Sequence, residues 1–229
     1  MLPPIRAVRT CGFGVEALAR LSGIADGKKA VGQRIANVAL AGWLAADAVR
    51  VVLFAGDLKT DLPDMAAGLA FLVAAVFVLR RARPLAQDAT PAAIAVALAA
   101  TMLPVSLSWL APAQGTTSLA LAAQAAAVLL MGASLFYLGC NFSVLPQYRG
   151  TSMHGPYALV RHPIYSSYLV FDGALVLQAQ SGLAVALWLV EFGLLLVRAR
   201  FEERLLAASD PAYGRYLARV RWRFIAGVV

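Results

Sequence analysis

Charge is scarce in this chain. Of its 229 residues only 14% are Asp, Glu, Lys or Arg, against roughly 25% in an average soluble domain. That scarcity disfavours a soluble globular protein and a disordered chain alike. Cysteine is scarcer still: Cys11 and Cys140 lie far apart and form no CxxC pair, so neither a structural disulfide nor a cysteine-based metal site is expected. The chain has no HExxH, no phosphate-binding glycine loop and no GxGxxG, so no metal is expected. The first 30 residues contain basic side chains but no compact apolar core, which argues against a cleaved signal peptide. No basic run is interleaved with aromatics at a spacing that suits base stacking, so nucleic acid is not an expected partner.

What the chain has in excess is Ala, Leu and Val. Hydrophobic residues make up 61% and mean hydropathy is +0.73. Uninterrupted apolar stretches of bilayer-crossing length predict an all-α, polytopic transmembrane helical bundle of about six spans. These fall at about residues 35–55, 63–79, 91–110, 118–138, 164–179 and 183–197, with Pro104 as a kink in the third. Only Gln180-Ser181-Gly182 separates the last two, which predicts a tight C-terminal helical hairpin. Beyond Arg198 the chain is charged and aromatic, and Pro211 is expected to break it into two short helices.

The net charge of +8 fits this reading. With both termini inside, the inner segments 1–34, 80–90, 139–163 and 198–229 hold 18 of the 20 Lys and Arg, as the positive-inside rule requires. The expectation is a multi-pass inner or plasma membrane protein with both termini cytoplasmic. It divides into a cytoplasmic arm (1–34), four transmembrane helices (35–138) and a C-terminal region (139–229). A short surface helix is expected near 15–21. The other charged residues in the first span, Asp47 and Arg50, are three apart and read first as a helix-face ion pair.

Polarity concentrates in the C-terminal region. Gly155-Pro156-Tyr157 leads through Arg161-His162-Pro163-Ile164-Tyr165 into the fifth span, and Arg198 through Glu203 mark the exit of the sixth. In a hairpin turning near Ser181, residues whose numbers sum to about 363 lie at one depth. Arg161 then faces Glu202, Tyr165 faces Arg198, and Asp172 faces Glu191. Singly, each polar residue at such an interface reads as a membrane anchor; together they define a loop mouth.

The string Gly155-Pro156-Tyr157…Arg161-His162-Pro163-Ile164-Tyr165 resembles the signature of the isoprenylcysteine carboxyl methyltransferase family, whose relatives include the phospholipid methyltransferases. Glu202-Glu203-x-Leu205, Tyr213, Tyr216 and the earlier Asn141-Phe142-Ser143 are similar to further motifs of that family. The resemblance covers about residues 135–227. It implies an integral-membrane methyltransferase that uses S-adenosylmethionine, releases S-adenosylhomocysteine, and methylates a lipophilic small molecule or lipid in contact with membrane lipids. By resemblance, Gln147, Arg149, Gly150, Thr151, Ser152, Tyr157, His162, Pro163, Ile164, Tyr165 and Glu202 line the cofactor, and Arg198 faces the acceptor as the catalytic residue. Ala226 stands where a proline is common in that family, and a residue is missing around Asp210-Pro211, which implies a C-terminal lid of different shape.

Chemistry is consistent with these roles. Glu202 can accept hydrogen bonds from a ribose or an ammonium group, His162 and backbone amides can hold a carboxylate, and tyrosines can stack on adenine. An isoprenylcysteine-like carboxylate suits Arg198 best, because guanidinium grips it bidentately. A phospholipid amine or small thiol acceptor, and a non-catalytic membrane protein, remain as other readings.

Overall fold

A computed structural model describes residues 27–53, 56, 58–81, 84–110 and 114–228. The cytoplasmic arm before residue 27, the helix expected at 15–21 and Cys11 lie outside the described residues. Those that are described form seven α-helices: α1 (Gly27–Leu53), α2 (Leu58–Arg80), α3 (Pro91–Leu110), α4 (Ser118–Leu138), α5 (Pro163–Ala179), α6 (Gly182–Ser209) and α7 (Pro211–Arg219). Ser118–Asn141 and Gly182–Ser209 are long and apolar enough to cross a membrane, and Met65–Arg80 and Pro91–Pro104 are shorter apolar stretches. The protein is therefore helical, and its apolar helices point to membrane association.

The helix boundaries follow local chemistry. Thr117 caps α4, its hydroxyl accepting from the Ala120 amide at 3.2 Å, and Gly139 ends it at φ +54°, a left-handed conformation natural to glycine. Ser181 caps α6 through the Leu183 amide, and Asp210 caps α7 through the Ala212 amide with Pro211 at the first position. Pro104 lies inside α3, which continues through it to Leu110. One expectation needs correction. The segment after Arg198 is not a pair of short helices, because α6 runs unbroken to Ser209 and only α7 is short. Arg, Glu, Leu and Ala fill those added turns, and all four are strong helix formers.

Small residues bring the helices close. Ala41, Ala48, Ala70, Ala74, Ala97 and Ala100 are all buried, and a Cβ added to Gly68 would lie 3.4 Å from Ala48 Cα, so α1 and α2 approach backbone to backbone. Large apolar side chains such as Leu53, Leu119, Leu129 and Phe136 face outward.

Two devices fix the loop between α4 and α5. Residues 86–87 (β1) pair antiparallel with 147–148 (β2), Ala86 opposite Tyr148 and Gln87 opposite Gln147. The Arg81 guanidinium donates to the Asn37 side chain at 2.7 and 3.1 Å and to the Phe142 carbonyl at 2.9 Å. That cross-link ties α1, the end of α2 and the loop together.

Candidate functional site

The loop between α4 and α5 turns on Gly155, at φ +61°. A Cβ there would sit 2.5 Å from the Tyr137 ring, so glycine is required both for space and for backbone conformation. The chain then forms a short 3₁₀ turn, Gly155–Ala158, and delivers Arg161 and His162 to the start of α5.

Here α5 meets the charged turn of α6. The Tyr165 hydroxyl donates to Glu202 Oε1 at 2.5 Å, and Arg198 Nε donates to the same oxygen at 3.2 Å. With Oε1 taken twice, Oε2 is the oxygen placed to receive a ligand donor; His162 Nδ1 lies 3.7 Å from it. The His162 ring stacks on Tyr165 with centroids 5.2 Å apart and planes 2° from parallel. The Arg198 guanidinium lies over the Tyr165 ring, 5.1 Å from its centroid, a cation–π contact. Its Nη1 donates to the Thr101 hydroxyl at 3.0 Å and its Nη2 to the Val144 carbonyl at 2.7 Å. Three of the five guanidinium donors are thus committed to the scaffold.

The depth rule of the sequence reading holds to within one position. Tyr165 meets Arg198 as expected, and the Asp172 and Glu191 carboxyls face each other. Arg161, however, pairs with Glu203 at 3.2 Å rather than with Glu202. Glu203 is the residue whose structural role sequence reasoning missed. It is buried and also accepts from His162 Nε2 at 3.3 Å and from Arg223 at 3.0 to 3.2 Å. Arg223 belongs to the C-terminal segment after α7. That segment binds the site through its backbone: the Arg161 amide donates to the Trp222 carbonyl and the His162 amide to the Arg223 carbonyl, each at 2.9 Å, and the Ser166 hydroxyl donates to the Phe224 carbonyl at 2.5 Å. Backbone amides 161 and 162 are therefore already spent, and a ligand carboxylate must be held by other groups.

A cavity of about 360 Å³ opens over this cluster, within the range of small-molecule sites. Arg198, Gln147, Gly150, Thr151, Ser152, Tyr157, His162, Ile164, Tyr165 and Glu202 all border it. Arg149 and Pro163 do not; Arg149 instead donates to Gln147 Oε1 at 2.7 Å. Burial, followed by the nearby Arg81 charge, lowers the Arg149 guanidinium to about 9. Thr151 donates to Asp210 Oδ2 at 2.8 Å and Ser152 to the Tyr137 carbonyl at 3.0 Å, which pins the loop to α7 and α4. Three tyrosines close one side. Tyr213 and Tyr216 stand 5.3 Å apart, and the Tyr216 hydroxyl donates to the Tyr157 carbonyl at 2.7 Å. Burial pushes the Tyr157 and Tyr213 phenols up and Tyr216 to about 12, so all three present neutral faces. The cavity extends beyond the cluster between helices, past Thr101, Tyr168, Phe171 and Met131 to Trp43 and Asp47.

In comparisons with known proteins, no family model matches the chain and no curated protein matches it.

Proposed function

We propose that this protein is an integral-membrane methyltransferase that moves the methyl group of S-adenosylmethionine to a lipophilic or membrane-partitioned acceptor. One observation carries the reading: a single cavity joins the polar cluster of His162, Tyr165, Arg198 and Glu202 to an apolar chamber between the helices. A water-soluble cofactor and an apolar acceptor need such a meeting point. The resemblance of residues 135–227 to the isoprenylcysteine carboxyl methyltransferases supports the same reading. So do the outward-facing apolar side chains, which suit a lipid environment; six spans, a C-terminal hairpin and both termini cytoplasmic belong to the same proposal.

The residues present fit the cofactor. Glu202 Oε2 is placed to accept from its ammonium or ribose hydroxyls, the loop edge at Gln147–Ser152 supplies polar side chains beside two guanidinium groups, and Tyr157, Tyr213 and Tyr216 offer faces for adenine. When bound, the cofactor supplies an electrophilic methyl on a sulfonium. The protein's task is alignment of nucleophile, methyl and sulfur with water excluded. Arg198 borders the cavity, where its remaining N–H groups would orient the acceptor. A carboxylate acceptor needs no base, and an amine needs only to lose a proton.

Calorimetric titration of the purified protein in nanodiscs tests the reading. Saturable binding of S-adenosylmethionine is expected, weakened about tenfold or more by Glu202→Gln, because a bond between charged groups is lost. Unchanged affinity in a folded Glu202→Gln protein would remove Glu202 from the site. Absence of binding to the native chain would favour the non-catalytic reading.

A further inference from the structure

Residues 211–229 hold no Asp or Glu but four arginines, Arg215, Arg219, Arg221 and Arg223. Arg223 is engaged by Glu203. The other three are exposed and make no ion pair among the described residues. Tyr213 and Tyr216 of α7 pack inward with Val220. Arg215 and Arg219, one turn apart, occupy the outward face of the same helix. Nothing in the fold accounts for this unopposed charge.

The segment after α7 runs back along the bundle. Phe224 is buried, and its ring meets that of Phe192 on α6 with centroids 6.2 Å apart. Phe192 is six residues before Arg198, about 9 Å further into the apolar part of α6 at 1.5 Å per residue. Residues near Phe224 therefore lie beside the apolar part of that helix, not out over its charged turn. Their outward side is apolar: Trp222, Ile225 and Val228 are exposed. So is Leu159, brought near by the bond from the Arg161 amide to the Trp222 carbonyl. Arginines leading into a tryptophan and aliphatic side chains match the layers of a membrane interface. Guanidinium grips headgroup phosphate, tryptophan settles at headgroup level, and aliphatic side chains enter the acyl boundary. A soluble anion would satisfy the arginines and leave the apolar residues in water; a lipid covers both.

We propose that residues 215–228 form a docking surface for anionic phospholipid in the leaflet next to the polar cluster. Arg215, Arg219 and Arg221 meet the headgroups, and Trp222, Ile225 and Val228 meet the acyl boundary. The same segment holds the Arg161 and His162 amides and the Ser166 hydroxyl through its carbonyls, so lipid bound there braces one wall of the candidate site. The proposal rests on the membrane reading and is independent of methyl transfer.

The test places the full chain in phosphatidylcholine nanodiscs in which one lipid in five carries bromine on its acyl chains, near the glycerol. The brominated lipid is either phosphatidylglycerol or phosphatidylcholine. Bromine quenches tryptophan at contact, and the share of Trp222 is obtained by subtracting the quenching seen in Trp222→Phe. Brominated phosphatidylglycerol is expected to quench Trp222 about threefold more strongly. One arginine at an anionic surface is worth about fivefold in association, and salt screens part of that. In Arg215→Gln/Arg219→Gln/Arg221→Gln the two lipids should quench Trp222 alike; these exposed side chains hold no ion pair, so the variant is expected to fold. Equal quenching by both lipids in the native protein overturns the proposal. So does absence of Trp222 quenching by either lipid, and so does a threefold preference that persists in the folded triple variant. The other tryptophans keep the two readings apart. Trp188 lies on α6 ten residues before Arg198, so quenching in Trp222→Phe reports a bundle in lipid. Its absence would refute the membrane reading and this proposal with it, whereas its presence beside an unquenched Trp222 refutes the docking surface alone.

Discussion

Glu203→Gln probes how the C-terminal segment is held over the site. In the native protein the Glu203 carboxylate accepts from Arg161, His162 and Arg223. Arg161 and His162 are nearly buried, whereas the Arg223 side chain is 31% exposed, so its share is screened and is worth under about 1 kcal/mol. Removing one member of a buried charged network typically costs about 3–5 kcal/mol, and glutamine keeps one acceptor oxygen. A net loss of about 2–3 kcal/mol is therefore expected, concentrated where the segment docks. The most direct reporters are the Arg161 and His162 amides, whose acceptors are the Trp222 and Arg223 carbonyls. If docking weakens by that amount, hydrogen exchange at these two amides should accelerate about 30- to 150-fold, at 1.4 kcal/mol per decade. Arg223→Gln should produce a much smaller change. Equal protection of both amides in native and Glu203→Gln protein would refute the assignment of Glu203 as the hub.

Three further outcomes follow from particular contacts. Gly155→Ala forces both a clash with Tyr137 and a positive φ on a residue with a side chain; a loss above about 1 kcal/mol is expected in thermal unfolding, and Tyr137→Ala should restore only the steric part. Arg81→Lys removes a fork that reaches Asn37 and Phe142 together and should lower the melting temperature, while Asn37→Ala in that background should add little, because the two share one network. Tyr216 ionises near 12 when folded against an ordinary 10.0, chiefly through burial. Its raised value means that its contribution is fully present below pH 10 and is lost as pH rises through 12; the late part of the alkaline rise in phenolate absorbance, which Tyr157 and Tyr213 share, should shrink by one phenol in Tyr216→Phe.

Some of this was legible in the sequence for clear reasons. The runs at 91–110 and 118–138 stood out as uninterrupted apolar stretches, and helices occupy those ranges. The pairing of residues near 162 with those near 202 followed from the short Gln180-Ser181-Gly182 link between the two last spans. What the depth rule could not give was direction around the helix. Glu202 and Glu203 differ by about 100° of rotation, and that angle sends one carboxylate into the cavity and the other towards Arg161 and Arg223. The Arg198–Thr101 bond and the β1–β2 pair join segments far apart in sequence. A two-residue ladder and a single threonine leave no periodic signal to read. The charged turn after Val197 reads as the end of α6 because charge marks a membrane exit, yet charge does not end a helix whose residues favour it.

The central claim is methyl transfer to an acceptor that partitions into the membrane. The measurement that tests it most directly incubates the purified protein, in nanodiscs made from a total lipid extract, with S-adenosylmethionine carrying a deuterated methyl group. The organic phase is then analysed by mass spectrometry. The account predicts at least one lipid-soluble product bearing the labelled methyl, formed by the native protein and strongly reduced in Arg198→Lys and Glu202→Gln. A folded native protein that binds the cofactor yet leaves the organic phase unlabelled across the whole extract would contradict it.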